Sequence, residues 1–104
     1  MTLKEYLKEQ ILIMDGAMGT YYDSLKSQKN QIAEEANLLE PEFIKSIHKE
    51  YIDSGARMIR TNSFAINRAM ALFKGLAANE EQDAFMIECI KACYRIAQEA
   101  VNES

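Results

Sequence analysis

The stretch Ile11-Leu-Ile-Met-Asp-Gly-Ala-Met-Gly-Thr20 determines the fold that we predict for this chain. Four consecutive apolar residues, without polar alternation, are typical of a strand that is covered on both faces in a parallel sheet. This predicted strand, residues 11–14, runs directly into a loop, residues 15–20, that contains two glycines. Ligands bind at the carboxyl ends of strands in parallel α/β folds. The stretch therefore predicts a buried strand that ends in a binding loop.

A second short apolar segment follows a predicted helix. Pro41 suits the first turn of that helix, apolar residues recur at helical spacing after it, and Gly55 supplies a stop. Residues 57–61 (Arg-Met-Ile-Arg-Thr) come directly after the stop. A strand, helix, strand order with so short a return implies a right-handed parallel crossover. We therefore predict that residues 57–61 form a second strand beside the first.

The N-terminal third of the chain contains two further helical patterns. Thr2 and Glu5 fit a capping box, which predicts a short helix over residues 3–9. Residues 21–25 are predicted to continue the loop as a helical turn. The polar run at residues 26–35 is predicted to be solvated.

The C-terminal third is predicted to be helical. One helix, over residues 66–74, would end at Gly75, and Asn79 with Gln82 resembles a capping pair for a long last helix. Apolar residues at helical spacing define one face of that last helix. The face contains Met86, Cys89, Ile90, Cys93, Ile96, Ala97, Ala100 and Val101.

These elements predict an α/β fold that is incomplete. Two parallel strands cannot close a sheet, and each would keep an unpaired edge. A (β/α)₈ TIM barrel needs eight strands and about 250 residues. The chain, residues 1–104, would thus supply the first βα units of such a barrel after a short N-terminal helix. We expect it to associate through its open sheet edges, either with the remainder of a barrel or with other copies.

Composition excludes several classes of protein. A chain of 104 residues with 48% apolar and 27% charged residues is typical of one globular domain. A net charge of -4 provides no basic surface for nucleic acid, and no apolar run is long enough to span a membrane. The N-terminus lacks an apolar signal core, so we expect a cytoplasmic location. Cys89 and Cys93 lie four residues apart on one helix face, where we expect them to pack rather than to bind metal.

The loop Asp15-Gly16-Ala17-Met18-Gly19 offers the groups that an amino acid requires. Glycines allow positive φ and close backbone approach, so several N–H groups could bind a carboxylate, while Asp15 could hold an ammonium group. An Asp-Gly turn that needs glycine for geometry alone is the alternative. Thr61 and Asn62 fall at the end of the second predicted strand, beside this loop. Their polar groups could orient a substrate, or they could simply cap the next helix.

Several motifs occur together, in order and with consistent spacing, over most of the chain. They are Asp15-Gly-Ala-Met-Gly-Thr20, Ala36-Asn-Leu38, Pro41-Glu42, Ile47-His48, Tyr51-Ile52, Gly55-Ala56, Thr61-Asn-Ser-Phe64 and Asn67-Arg68. In this combination the sequence resembles the homocysteine S-methyltransferase family, including the homocysteine-binding module of cobalamin-dependent methionine synthase. The resemblance implies a (β/α)₈ barrel that transfers a methyl group to the thiol of homocysteine.

The resemblance also implies roles for individual residues. Asp15, Gly16, Ala17, Met18 and Gly19 resemble the loop that takes the amino and carboxylate ends of homocysteine, and Thr61 and Asn62 match a motif that lines the same pocket. In the family a zinc ion activates the thiol, and the methyl donor can be methylcobalamin. The three family cysteines that bind zinc lie on later strands and have no counterpart in this chain. We therefore expect this N-terminal part of such an enzyme to be inactive alone.

A second hypothesis comes from another class of protein. A small α/β module of this size could be non-catalytic and could bind an amino acid or associate with itself through its apolar edges. His48, in the middle of a predicted helix, favours a solvated or half-buried structural role over metal binding.

Overall fold

The protein is mainly helical. Its computed structural model describes residues 1–26, 32–67, 69, 71, 75–76 and 79–104. The elements with described bounds are α1 (Leu3–Glu9), α2 (Gly19–Leu25), a short 3-10 helix (Ala33–Glu35), α3 (Ala36–Leu39), α4 (Pro41–Asp53) and α5 (Asn79–Asn102).

Local sequence signals set the ends of two helices, as predicted. At α1, the hydroxyl of Thr2 accepts a hydrogen bond from the backbone N–H of Glu5 at 3.2 Å, and the Glu5 carboxylate accepts one from the N–H of Thr2 at 3.4 Å. This is the reciprocal arrangement of a capping box. Helix α4 begins at Pro41, and Gly55 follows its end with a positive φ of 119°. Glycine adopts this φ without steric cost, and for this reason the helix stops here.

The predicted α/β fold is wrong. No described residue belongs to a β-strand, so the chain does not contain the first βα units of a (β/α)₈ TIM barrel. The two segments predicted as strands do approach each other in parallel, but they share a single isolated bridge, Met14 to Met58. Ile11 is 87% exposed and Ile13 is 55% exposed. A strand of a parallel sheet needs a neighbour and a covering layer on both faces, and these apolar side chains have neither.

The core lies where α4, α5, α3 and the 3-10 helix pack together. It consists of small and branched apolar side chains around one tyrosine, namely Tyr22, Ala33, Ala36, Ile44, Ile47, Ala92 and Ile96. The hydroxyl of Tyr22 donates a hydrogen bond to Glu40 at 2.9 Å. Burial, with that hydrogen bond, raises the pKa of Tyr22 to about 12. The tyrosine is therefore a neutral donor within the core.

The predicted apolar face of α5 is partly correct. Cys89, Cys93 and Ile96 are buried as expected, and both cysteines are free thiols. Ile90 and Val101 are 51% and 50% exposed, so their assignment to the buried face was wrong. They therefore lie on the solvent-exposed side of α5.

Two other predictions concern the loops. The run at residues 26–35 was expected to be solvated, yet Ala33, Glu34 and Glu35 are buried. Residues 27–31, and most of the predicted helix at 66–74, lie outside the described residues. No helix in the described part of the chain combines the length and apolarity required to cross a membrane.

The core described above predicts that two isoleucines of α5 contribute unequally to the free energy of unfolding. Replacement of Ile96 by alanine removes a side chain that is 1% exposed, whereas the same replacement at Ile90 removes one that is half-exposed. We expect Ile96→Ala to lower the free energy of unfolding by about 2–5 kcal/mol because it leaves a cavity. Ile90→Ala should change it by less than about 1 kcal/mol. Urea titration followed by circular dichroism measures both, and equal losses would contradict the packing described for α5.

Candidate functional site

A pocket of about 570 Å³ lies between the two segments that form the Met14–Met58 bridge. Its volume falls within the range of small-molecule sites, about 300–1,000 Å³. It is lined by Asp15, Gly16, Ala17, Met18, Gly19, Thr20, Glu34, Arg60, Thr61, Asn62, Ser63 and Phe64. All seven residues that the sequence selected for substrate binding thus lie around one cavity.

Backbone hydrogen bonds hold the two segments together beside the pocket. The carbonyl of Ile13 accepts from the N–H of Arg57 at 2.8 Å, and the N–H of Asp15 donates to the carbonyl of Met58 at 3.1 Å. The residues that follow Asp15 and Met58 therefore leave the bridge side by side. This arrangement brings the loop after residue 14 next to the loop after residue 60.

Asp15 forms an ion pair with Arg60. Its carboxylate accepts from the Nε of Arg60 at 3.0 Å and from the backbone N–H of Arg60 at 3.2 Å. The Nη2 of Arg60 also donates to the carbonyl oxygen of Asp15 at 2.9 Å. The side chain of Asp15 is only 4% exposed, whereas that of Arg60 is 60% exposed. The binding of an ammonium group by Asp15 stays a prediction, and in this structure the carboxylate is already occupied by a cation.

Asn62 belongs to a buried amide cluster. Its side-chain nitrogen donates to the Oδ1 of Asn37 at 3.0 Å and to the carbonyl of Ala33 at 2.8 Å. Asn37 in turn donates to the backbone carbonyl of Asn62 at 2.8 Å. Both side chains are buried, at 0% and 3% exposure. Because its amide nitrogen already has two acceptors, Asn62 shapes the pocket wall by fixing the backbone around it.

Thr61 and Ser63 are the more accessible polar groups of the second loop. Their hydroxyl oxygens lie 2.8 Å apart in a mutual hydrogen bond. Burial raises the pKa of the Cys93 thiol, and hydrogen bonding with Thr61 and Ser63 opposes part of this rise. Cys89, one turn earlier on α5, has its pKa raised to about 11, chiefly by burial.

Gly16 is required because the backbone passes close to a tyrosine. A Cβ atom at this position would lie 2.8 Å from both Cε1 and the hydroxyl oxygen of Tyr51. That hydroxyl donates to the carbonyl of Ala17 at 2.8 Å, so the ring is fixed above the loop. The prediction that these glycines provide positive φ is wrong, since the positive-φ glycines are Gly55 and Gly75. Gly19 begins α2 and has open space around its Cα.

His48 is fully buried, whereas the sequence favoured a solvated or half-buried structural role for it. Its exposure is 0%, and neither ring nitrogen has a hydrogen-bond partner among the described residues. Burial lowers the pKa of His48, and the negative charge of Asp15 partly opposes this. A neutral imidazole therefore packs on the inner side of the loop.

No metal site is formed by the described residues. No group of three or more His, Cys, Asp or Glu side chains among them is arranged to hold an ion. Cys89 and Cys93 are buried in packing contacts, as predicted. The residues present thus do not fit the zinc ion that the family resemblance implies.

Three contributors to the site were missed by sequence reasoning. Arg60 pairs with Asp15, Glu34 lines the pocket, and Tyr51 covers Gly16. The two arginines within the short segment at residues 57–61 could have indicated a functional role, because charge is unusual in a buried strand. The sequence contained no such indication for the other two residues. Glu34 lies in an ordinary polar run, and Tyr51 lies in an ordinary helical pattern.

The glycine geometry predicts different effects of the same substitution at two positions. Gly16→Ala would place a methyl group against the ring of Tyr51, and we expect a loss of about 1–3 kcal/mol in the free energy of unfolding. Gly19→Ala, with open space and helical backbone, should be neutral or stabilising by up to about 1 kcal/mol. Thermal and urea unfolding of the two variants measure this difference. A harmless Gly16→Ala would show that Tyr51 does not constrain the loop.

The chain is similar to known proteins over most of its length. The sequence profile of the homocysteine S-methyltransferase family matches residues 12–104. The methionine synthase of Mycobacterium leprae (strain TN) is 30% identical over a region that covers 62% of this chain. That region is 6% of the relative, so the chain spans a small part of that protein. No solved structure gives a significant match. Because the family profile covers most of the sequence, this chain belongs to the homocysteine S-methyltransferase family.

Proposed function

We propose that this chain is the N-terminal part of a homocysteine S-methyltransferase of the methionine synthase type, and that its pocket receives the amino-acid end of homocysteine. The observation that carries the proposal is the convergence of Asp15 to Gly19 with Thr61 and Asn62 around one cavity in a member of this family. The cavity is lined by polar groups from both loops and by the apolar residues Met18 and Phe64. Such a mixture suits a short amino acid with a thiol side chain.

The reaction transfers a methyl group from a donor to the sulfur of homocysteine. A thiol has a pKa of about 8.5 and is a poor nucleophile at neutral pH unless something stabilises the thiolate. In the proposed complete enzyme a zinc ion supplies that stabilisation, and methylcobalamin is the proposed donor. The described residues of this chain hold no group of zinc ligands. The role proposed for them is to bind and orient the substrate, with the thiol directed to ligands elsewhere in a longer protein.

The proposal includes two consequences for the chain itself. Methyl transfer by these 104 residues alone should not occur, because nothing described here activates the sulfur. We also propose a cytoplasmic location, on the grounds of composition.

Homocysteine binding by the isolated chain tests the proposal. We expect isothermal titration calorimetry to detect binding that Asp15→Ala abolishes, because the substitution releases Arg60 and removes a wall of the pocket. Glu42→Ala, at an exposed carboxylate of α4, is the control and should leave binding unchanged. Binding that is weak and equal in the wild type and in Asp15→Ala would instead favour a non-catalytic scaffold.

A second candidate function is self-association. Four apolar side chains of α5 form an exposed stripe, which we call the outer stripe of α5, and their spacing places them on one side of the helix. They are Ile87, Ile90, Tyr94 and Val101, each between 49% and 65% exposed. An apolar stripe of this kind on a helix is suited to the matching helix of a second copy.

The outer stripe of α5 predicts a concentration-dependent dimer. Tyr94→Lys places a charge in the middle of the stripe and should weaken dimerisation at least tenfold, since burial of an unpaired charge is costly. Glu88→Gln changes the net charge by the same amount at an exposed position of α5 outside the stripe and serves as the control. Sedimentation equilibrium measures the association constant of each. A wild-type chain that stays monomeric across the concentration range would refute the dimer.

A further inference from the structure

His48, the single histidine of the chain, is buried without a hydrogen-bond partner. Its exposure is 0%, and the described residues offer no partner to Nδ1 or to Nε2. A neutral imidazole carries one donor and one acceptor. Buried polar groups of proteins are nearly always hydrogen-bonded, and an unsatisfied one costs free energy. The ring therefore lies at a strained point of the interior, where a change in its charge has a large effect.

The register of α4 places His48 between the core and the loop that follows residue 14. Ile44, His48 and Tyr51 follow one another at helical spacing, so they lie on one face of α4. Ile44 belongs to the core, and the hydroxyl of Tyr51 donates to the carbonyl of Ala17 at 2.8 Å. The negative charge of Asp15, at the start of the same loop, acts on the ring.

The ionisable groups of α4 and α5 have other partners or are neutral. The charged side chains at the contact between these helices pair with one another at distances between 2.9 and 3.5 Å, namely Lys45, Lys49, Glu42, Glu99 and Glu103. Glu50 accepts a hydrogen bond from Tyr21. The thiols of Cys89 and Cys93 stay neutral, because burial raises the pKa of each.

On the other side of His48, Asp15 is the group whose charge reaches the ring. The carboxylates beside α3 act on other groups, namely Glu34 on the N–H of Ala65, Glu35 on the thiol of Cys89 and Glu40 on the ammonium group of Lys26. Both carboxylate oxygens of Asp15 accept hydrogen bonds from Arg60, at 3.0 and 3.2 Å. This pair joins the two segments of the junction, residues 13–15 and 57–60.

Uptake of a proton from solvent changes what His48 requires. An imidazolium has two donors and no acceptor, and a buried charge is stable only when it is paired and hydrogen-bonded. The anion that acts on the ring is Asp15, and its two oxygens are already bound to Arg60. A charged ring must therefore draw Asp15 away from Arg60 or leave the interior, and either movement weakens the junction.

We propose that His48 is an acid-sensitive switch of the junction: its protonated ring competes with Arg60 for the carboxylate of Asp15 and loosens the two segments. At neutral pH the ring is uncharged and the Asp15–Arg60 pair is intact. This property requires no ligand, so it goes beyond the proposed function and does not depend on it.

The direction of the pH dependence follows from burial. Burial lowers the pKa of His48 below its ordinary value of about 6.5. The unfolded chain thus binds the proton more tightly than the folded chain. Stability is complete above about pH 6.5 and is lost as the pH falls toward the folded pKa of His48, by at most about tenfold in the unfolding equilibrium constant per pH unit. Carboxylates titrate near pH 4, so the interval from pH 7.5 to 5.5 isolates the histidine.

Proton NMR of the 104-residue chain follows the ring without ambiguity, because there is one histidine. The titration midpoint of His48 in the folded chain should lie below about 6.5. It should fall further in Asp15→Asn, which removes the charge that favours the imidazolium. Arg60 tolerates this loss, since its side chain is 60% exposed. A wild-type midpoint at or above the ordinary value would overturn the proposal.

The signal of the Arg60 Nε–H group tests whether the ring acts on the junction. This group donates to Asp15, so its chemical shift should change with the same midpoint as the ring of His48. The Nε–H of Arg57 is the matched control and should not follow the ring, because the Arg57 guanidinium bonds the carbonyl of Ala56. An Arg60 signal that stays constant while His48 titrates would show that the switch does not exist.

Urea unfolding at pH 7.5 and 5.5 measures the effect on stability. The unfolding equilibrium constant of the wild type should rise several-fold at the lower pH, and that of His48→Met, which keeps an apolar side chain in the interior, should not change. Lys8→His in the His48→Met background restores one histidine at an exposed position of α1 and should also show no pH dependence. A pH dependence that persists in His48→Met would contradict the proposal. If that variant does not fold, the two NMR titrations of the wild type still decide.

Discussion

The junction between residues 13–15 and 57–60 determines where the pocket forms. The backbone of this junction contributes only one parallel bridge and the hydrogen bonds beside it. The Asp15–Arg60 ion pair therefore contributes much to holding the two segments in this alignment. A buried carboxylate such as that of Asp15 is stable only when it is paired and hydrogen-bonded. Arg60 provides both, with its backbone as well as its side chain. The pair therefore helps to fix the register of the two segments.

The buried amides of Asn37 and Asn62 add a second constraint on the same wall. Each of the two side chains donates to a backbone carbonyl, and one also bonds the other, so α3 and the second loop are linked in both directions. Loss of one partner would leave a buried polar group unsatisfied, at a cost of about 1–3 kcal/mol. The polar residues around this pocket are therefore more rigid than their loop location suggests. Rigidity of this kind reduces the entropy lost when a ligand binds.

The sequence was informative where local chemistry decides structure. Thr2, Pro41 and Gly55 act on the few residues next to them, and the helix ends that they predicted are present. The seven residues selected for substrate binding, from the motif around Asp15 and the motif at Thr61, also line one cavity, and their binding of substrate stays a prediction. The family pattern preserves proximity even though the strands expected to deliver it are absent.

Sequence patterns did not predict the contacts between residues that are far apart in the chain. The apolar run at residues 11–14 is identical in a covered strand and in an exposed segment, since periodicity does not show whether neighbouring strands exist. Asp15 and Arg60 are 45 positions apart in the sequence. Gly16 and Tyr51, which contact each other, are also far apart in it. No spacing rule connects such residues. The pattern thus selected seven residues that line one cavity, but it did not show that Asp15 is neutralised by Arg60.

Charge balance in the proposed pocket favours an amino acid over a simple acid. Asp15 and Arg60 cancel, and Glu34 leaves one excess negative charge in the pocket. A ligand with a carboxylate alone would bring a second uncompensated anion into a partly desolvated cavity, where like charges repel more strongly than in water. A zwitterion would bring an ammonium group that offsets this excess negative charge. Discrimination therefore arises as much from the repulsion of the wrong ligand as from contacts with the right one.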